Sequence, residues 1–264
     1  MNQSLSTIPE WIQEIQAEGR YTFSRLEAQS ATGRSTVAAQ AALRRLSNSG
    51  RIVSPRRGFF VIVPPEYRVA GAPPPSWFID DLMGFLGQPY YVALLSAAAI
   101  HGASHQQPMT FQVLTSAPIR PVAAGRVQIQ FFTSGLVEKV PVVDVQTETG
   151  TMRVATPAVT AFDLVHHPRG TGYLSNTATV LIEMAEEIDV GELVELAPLY
   201  RIPDVQRLGF LLDFVGETKL AEPMADWLRS RHPRKILLRP DRPLSEFLNS
   251  RWRVLINEDL ELDQ

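Results

Sequence analysis

Between Gly33 and Val63 the chain reads GRSTVAAQAALRRLSNSGRIVSPRRGFFVIV, and no other stretch limits the fold as tightly. Thr36, Ala39, Leu43 and Leu46 recur at the spacing that places side chains on one face of an α-helix. The opposite side is left with Ser35, Gln40, Arg44 and a row of alanines. Gly50 ends the helix. Two β-rich runs, RIV and FFVIV, then flank Ser54-Pro55-Arg56-Arg57-Gly58, with a glycine where a tight turn needs one. A chain that passes directly from such a helix into a hairpin tipped by two arginines must pack that hairpin against the helices before it.

Those earlier helices are legible too. Pro9 opens a first helix with Trp11, Ile12 and Ile15 on one side, and Gly19 stops it. Thr22 is the expected N-cap of a short second helix, FSRLEAQ, with Phe23 and Leu26 toward the core, and a turn follows at Ser30 to Gly33. Three short helices and a hairpin in this order predict a winged helix-turn-helix over residues 1–68, a module that lays its third helix in the major groove of duplex DNA. Small residues let the helix backbone sit deep in the groove while Gln40 and the arginines reach base edges or phosphates. Arg56 and Arg57 are placed to meet the sugar-phosphate backbone or the minor groove.

A net charge of −3 looks unsuited to a polyanion until it is divided along the chain. Residues 1–68 carry nine Lys or Arg against five Asp or Glu, a balance of +4, whereas residues 69–264 carry sixteen against twenty-three, a balance of −7. Only a nucleic-acid module must neutralise phosphates, so opposite signs in the two parts agree with a basic module joined to an acidic body. The absence of cysteine excludes disulfides, thiolate metal sites and a cysteine nucleophile, and fits a cytoplasmic protein. The opening residues have neither a basic nor an apolar signal region, and no apolar run approaches a membrane span, so neither export nor membrane insertion is expected.

Prolines 64, 65, 73, 74 and 75 bracket Ala70-Gly71-Ala72, which predicts a stiff linker over residues 69–75 and a second domain over 76–264. In that domain Ser76 is expected to cap WFIDDLMGFLG, and Tyr90 to Ile100, apolar on every side, reads as one buried helix. Strands are expected at Thr110 to Thr115 and Arg126 to Thr133, with a hairpin from Val137 to Ala155 turning at Glu148-Thr149-Gly150. Pro157 opens another helix, which Pro168 stops. From Tyr173 to about Ser230 the pattern is helical in four segments, with one or two strands at the end. The expected fold class is mixed α+β: a winged helix followed by a domain with a mixed or antiparallel sheet over 76–170 and a mainly helical part over 171–264.

Few residues suggest chemistry. His101, His105, His166 and His167 lack the spacing of a metal motif; His101 reads as a helix C-terminus and His166-His167-Pro168 as a helix stop. Asp163 sits four residues before His167 and is expected to pair with it along the helix, the other reading being a carboxylate at a helix-packing interface. Glu183, Glu186, Glu187, Asp189, Glu192 and Glu195 form an acidic run, expected to be a solvated face. No phosphate loop, dinucleotide fingerprint or nucleophile elbow is present, so no catalytic residue, cofactor or metal is expected and the chain is read as non-enzymatic.

The succession YYVALLSAAAIHG, FQVLTS, RVQIQFF and GTMRVATPAVTAFDLV resembles the AbiEi family, the antitoxin half of the AbiE abortive-infection systems, which are classed as type IV toxin-antitoxin pairs acting in phage defence. The resemblance spans most of residues 5–170 and is thinner beyond Tyr173. It implies a bacterial cytoplasmic antitoxin and transcriptional regulator that binds operator repeats in its own promoter, represses its operon, and counters a nucleotidyltransferase toxin without a tight complex. Matched onto the winged-helix pattern, DNA contact falls on Arg34, Ser35, Thr36, Gln40, Arg44, Arg45, Arg56 and Arg57. The modest charge of that helix points to a homodimer on paired sites. Two alternatives stay open: a winged helix that targets a nucleic-acid-processing domain, and a transcription regulator whose second domain senses a small ligand near Tyr90 and Tyr91.

Overall fold

The computed structural model describes residues 7–103, 108–244 and 246–262. Among these it has ten α-helices and twelve short strands in three sheets, a mixed α+β fold. Its contacts divide into two compact units, one comprising residues up to 91 with 109–138 and 144–153, the other comprising 92–108, 139–143 and 154 onward.

The first unit begins with α1 (Ile8–Ala17), β1 (Thr22–Ser24), α2 (Arg25–Thr32), α3 (Thr36–Asn48), β2 (Ile52–Arg56) and β3 (Phe59–Ile62). The strands form an antiparallel sheet in the order β1-β3-β2, the arrangement expected of a winged helix. Thr7 and Glu10 form a capping box at α1, and Ser24 and Glu27 form one at α2, each satisfying two backbone N–H groups that a helix leaves open. Ile8, Trp11, Ile12 and Ile15 pack on Ala39, Leu43 and Leu46 of α3, and Phe23 joins them to Phe60 with ring centroids 5.4 Å apart.

Two expectations are corrected here. Thr22 is not a helix cap: Thr22 to Ser24 form a strand, because Phe23 pairs with Phe60 across β3, and α2 starts after Ser24. Its core positions are therefore Ala28 and Thr32, and Leu26 is 74% exposed. Thr36, assigned to the buried face of α3, is exposed in its first turn, and Ala39, Leu43 and Leu46 carry that face alone.

The proline-bracketed stretch is packed. Two short 3-10 turns, Pro65–Tyr67 and Pro75–Trp77, enclose a buried Ala72. Ala70 accepts a hydrogen bond from the Arg126 N–H at 2.7 Å. Gly71 and Gly125 meet backbone to backbone at positive φ; a Cβ on Gly125 would lie 2.7 Å from the Gly71 carbonyl carbon and closer still to the Ala70 oxygen. Only glycine admits that approach. Further ties run from the winged helix into the same unit: the Thr22 hydroxyl donates to Asp81 at 2.5 Å, Tyr21 and Tyr67 both pack edge-on to Trp77, and Phe59 meets Phe85. The winged helix thus shares its compact unit with α4 (Ile79–Leu86) and much of the large sheet, instead of forming a unit that ends near residue 70.

That sheet joins β4 (Tyr90–Val92), β5 (Phe111–Thr115), β6 (Val122–Ala124), β7 (Val127–Thr133), β8 (Val142–Thr147) and β9 (Gly150–Ala155) in the order β6-β7-β5-β4-β9-β8. It is mixed, with β5 parallel to β7 and β6 antiparallel to β7. The stretch from Tyr90 to Ile100 is consequently a strand plus α5 (Leu94–Ile100), not one helix. A continuous apolar run serves a buried strand as well as a buried helix, and Leu94, at φ 54, marks where one passes into the other. Ser76 lies in a 3-10 turn, and α4 has no side-chain cap.

In the second unit α6 (Pro157–His166), capped by Thr156, buries eight of its ten residues. Around it stand α7 (Tyr173–Met184), α8 (Val190–Leu196) and α9 (Ile202–Phe214), and α10 (Thr218–Arg229) packs on α8 and α9. A small sheet of β10 (Ile236–Leu237), β11 (Leu248–Asn249) and β12 (Val254–Leu255) follows, in the order β10-β12-β11. The fully buried Trp252 docks that sheet onto α9, where Gly209 leaves room for its ring. No helix among the described residues is long and apolar enough to cross a membrane.

Candidate nucleic-acid interface

The third helix presents its predicted outer face to solvent. Arg34, Ser35, Thr36, Gln40, Arg44 and Arg45 are all exposed, with Val37 at 77% exposure among them. Ser35 also caps the helix, its hydroxyl accepting from the Ala38 N–H at 3.3 Å. The α-helical period divides the remaining side chains into two flanks. One flank, with Arg34, Ala38, Ala41 and Arg45, lines a groove of about 680 Å³ that also takes in the start of α1 and Arg51. The other, with Gln40, Arg44 and Ser47, faces a smaller groove shared with Arg25 and Phe60. Cationic side chains therefore stand on both flanks of the exposed face of α3.

The hairpin separates the two arginines that the sequence pairs. Arg57 is exposed at the turn. Arg56 is partly buried, and its guanidinium donates to the Arg120 carbonyl and, at 3.5 Å, to that of Pro121. Burial and the neighbouring Arg120 both lower its pKa. Arg56 is thus a clasp between β2 and the segment before β6, and Arg57 is the hairpin arginine turned outward. Arg56 still pairs with Phe59 as the last residue of β2, whereas Arg57 lies in the turn.

Arg25, Arg51 and Ser47 do not stand out in the sequence. Arg25 is the first residue of α2, and its N–H donates to the Gly58 carbonyl at 2.8 Å, which brings the start of α2 beside the hairpin turn. The Ser24-x-x-Glu27 capping box is the signal that could have moved the helix start and placed Arg25 at it.

The second unit contains most of the remaining candidates. His101 is the C-cap residue of α5, and its Nε2–H donates at 2.6 Å to the carbonyl of Ala155 in β9, not to a free carbonyl of the helix end. His105 lies outside the described residues. Asp163, 1% exposed, accepts from the Tyr200 hydroxyl at 3.0 Å, and the Tyr200 ring stacks on Phe162. Its carboxylate therefore faces a packing interface. His166 and His167 diverge: burial pushes His167 down to about 4, aided by His166, whereas His166 Nδ1 meets Asp204 Oδ2 at 2.8 Å. Asp204 is buried, which alone would raise its pKa, but hydrogen bonds from His166 and Arg201 outweigh that and hold it below the usual carboxylate range. The acidic run is not one solvated face: Asp189 caps α8, Glu192 accepts from the Thr156 hydroxyl at 2.6 Å, and Glu186, Glu187 and Glu195 are exposed. In the first unit Tyr90 and Tyr91 are 3% and 0% exposed, and the Tyr90 hydroxyl donates to Asp80, so they line no accessible site. Among the described residues no three His, Cys, Asp or Glu are grouped so as to hold a metal ion.

No curated protein sequence matches the chain. A solved structure described as the crystal structure of the RV2827C protein from Mycobacterium tuberculosis matches with a TM-score of 0.67 over 95% of this chain and 92% of that one, at 14% sequence identity. That likeness carries the fold alone. Residues 91–214, from β4 to the end of α9, match the family model described as the AbiEi antitoxin C-terminal domain, and that part of the chain is thereby similar to the AbiEi antitoxins.

Proposed function

We propose that the protein is an antitoxin that binds duplex DNA through residues 1–68 and represses its own operon, while residues 76–264 counter a nucleotidyltransferase toxin in the cytoplasm. The observation that carries the DNA reading is the outer face of α3, where Gln40, Arg44, Arg34 and Arg45 flank exposed small residues beside the outward-turned Arg57. A helix with that surface can enter a major groove, and arginines on both flanks reach the two phosphate backbones that border it. Arg25 at the start of α2 and Arg51 at the start of the hairpin extend the same surface. Its moderate charge favours two copies on paired half-sites, since each copy neutralises few phosphates. The match of residues 91–214 to the AbiEi antitoxin C-terminal domain supports the antitoxin role, and the toxin's chemistry comes from the family resemblance.

The test is a gel shift on promoter DNA with the full chain. Replacement of Arg44 and Arg45 by Ala is expected to abolish operator retention and to leave rescue of cells from the toxin largely intact. Undiminished retention would remove α3 as the reading element. Loss of rescue with a normally folded variant would show that the two functions are not separable.

A further inference from the structure

The second unit holds a cavity of about 200 Å³ where the end of α6, the starts of α7 and α9, and the residues after β10 converge. Its walls carry four arginines, 169, 201, 207 and 239, together with His166, against two carboxylates, Asp204 and Asp241. Arg239 is fully engaged: Nε and Nη2 bind Asp241 at 2.8 Å, Nη1 binds Glu258 at 2.8 Å, and its face covers the Tyr173 ring. Arg242 also reaches Glu258, at 3.4 Å, so these two arginines and two carboxylates cancel. Arg169, Arg201 and Arg207 remain against Asp204, an excess of two positive charges.

The donors are not all consumed. Arg207 gives Nε and Nη2 to the carbonyls of Leu238 and Leu237, both at 3.0 Å. Arg201, 68% exposed, gives Nε to the buried Asp204 at 3.0 Å and keeps Nη1. A carboxylate only accepts, so His166 presents an Nδ1–H to Asp204 and its Nε2 is left over. Arg169 is exposed and makes no ion pair among the described residues. Asp204 therefore fixes the orientation of two side chains whose other ends stand at the cavity. Tyr173, at φ 71, begins α7 after a glycine that offers no side-chain cap, so the first-turn N–H groups at this wall have no side-chain acceptor. A strained non-glycine backbone at a cavity wall is where function tends to be stored.

We propose that this cavity binds the phosphate group of a small phosphomonoester, with Arg169 and Arg201 Nη1 as the recognising donors and Arg207 as fixed charge. The phosphate dianion matches the excess charge, and its tetrahedral oxygens suit guanidinium donors arriving from separate elements better than a planar carboxylate would. The volume admits the phosphate and the atoms next to it, with the remainder of the ligand outside. The site is independent of DNA reading by α3.

Isothermal titration of the full chain with inorganic phosphate, adenosine monophosphate, ribose 5-phosphate and adenosine tests this. Saturable binding of phosphate and of at least one ester, with none for adenosine, is expected. The Arg169→Ala, Arg201→Ala variant should bind at least tenfold more weakly, and the Arg44→Ala, Arg45→Ala, Arg57→Ala variant should bind as the parent does. Tighter binding of the nucleotide assigns a nucleotide ligand, and tighter binding of ribose 5-phosphate assigns a sugar phosphate. If the double variant misfolds, Arg169→Ala alone, at an exposed position, serves instead and must weaken binding. Absence of saturable phosphate binding, or affinity unchanged by the arginine substitutions, overturns the proposal.

Discussion

Gly209→Ala sets two effects against each other inside α9. Alanine in a helix interior is favoured over glycine by about 1 kcal/mol, so propensity alone predicts a more stable protein. A Cβ at this position, however, would stand 2.5 Å from Cε3 of Trp252 and closer still to Cη2 and Cζ3. Carbon atoms prefer separations of about 3.5–4 Å, so the ring must retreat by roughly an ångström. It has little freedom to do so. The indole N–H donates to Asp213 at 2.6 Å, the backbone N–H to Asn249 at 3.0 Å, and the Trp252 carbonyl accepts from Gln206 at 2.8 Å. Overpacking of a closed core costs about 1–3 kcal/mol, and a residue held through its ring N–H and both backbone groups belongs at the upper end of that range. The net expectation is a loss of about 1–2 kcal/mol, a melting midpoint lower by about 3–6 °C at the usual scaling. Thermal and urea unfolding by circular dichroism read it. Trp252→Phe removes the second ring and with it the clash, so in that background Gly209→Ala should regain its helix benefit, giving a coupling of about 2–3 kcal/mol between the sites. A raised midpoint for the single variant, or no coupling, would refute the reasoning.

Other substitutions discriminate between residues that look alike in the sequence. Arg57→Ala should weaken DNA binding and reduce the slope of log affinity against log salt by roughly one contact, about 0.9, whereas Arg56→Ala should leave that slope unchanged and lower stability by about 1–2 kcal/mol through loss of its carbonyl partners; fluorescence anisotropy over a salt series separates them. Leu26→Ala, at an exposed position, should change stability by less than about 0.5 kcal/mol, while Phe23→Ala should cost about 3–5 kcal/mol, measured by urea midpoint. His167 adds a pH dependence: burial depresses its folded pKa to about 4, below the unfolded value near 6.5, so the unfolded chain takes up the proton first and stability falls as pH drops from 6.5 toward 4. Asp204, also depressed, loses stabilisation in the same direction as it protonates. His167→Gln should flatten the upper part of the curve, and an unchanged profile would show that His167 is not responsible.

The exposed face of α3 was legible in the sequence because it is local. The period of Ala39, Leu43 and Leu46 sets which side of α3 is buried, and the outer residues follow from geometry. The cavity at Asp204 was invisible for the opposite reason: His166, Arg201 and Arg239 are brought together by three elements, and each alone reads as an ordinary surface charge. Arg56 fell between, since its place at a hairpin tip was readable and its partners, more than sixty positions away, were not.

What the sequence determined by itself was the mixed fold class, the buried side of α3 and a run of residues that resembles a family, all consequences of periodicity, caps and turns acting within a few positions. Tertiary structure decided the rest. It made Tyr90–Val92 a central strand where hydrophobicity alone allowed a helix, and it closed a proline stretch that looked like a linker into a packed seam at Gly71 and Gly125. It also chose which of two adjacent arginines faces outward. In each case local energies left two states close together, and contacts between distant residues supplied the difference.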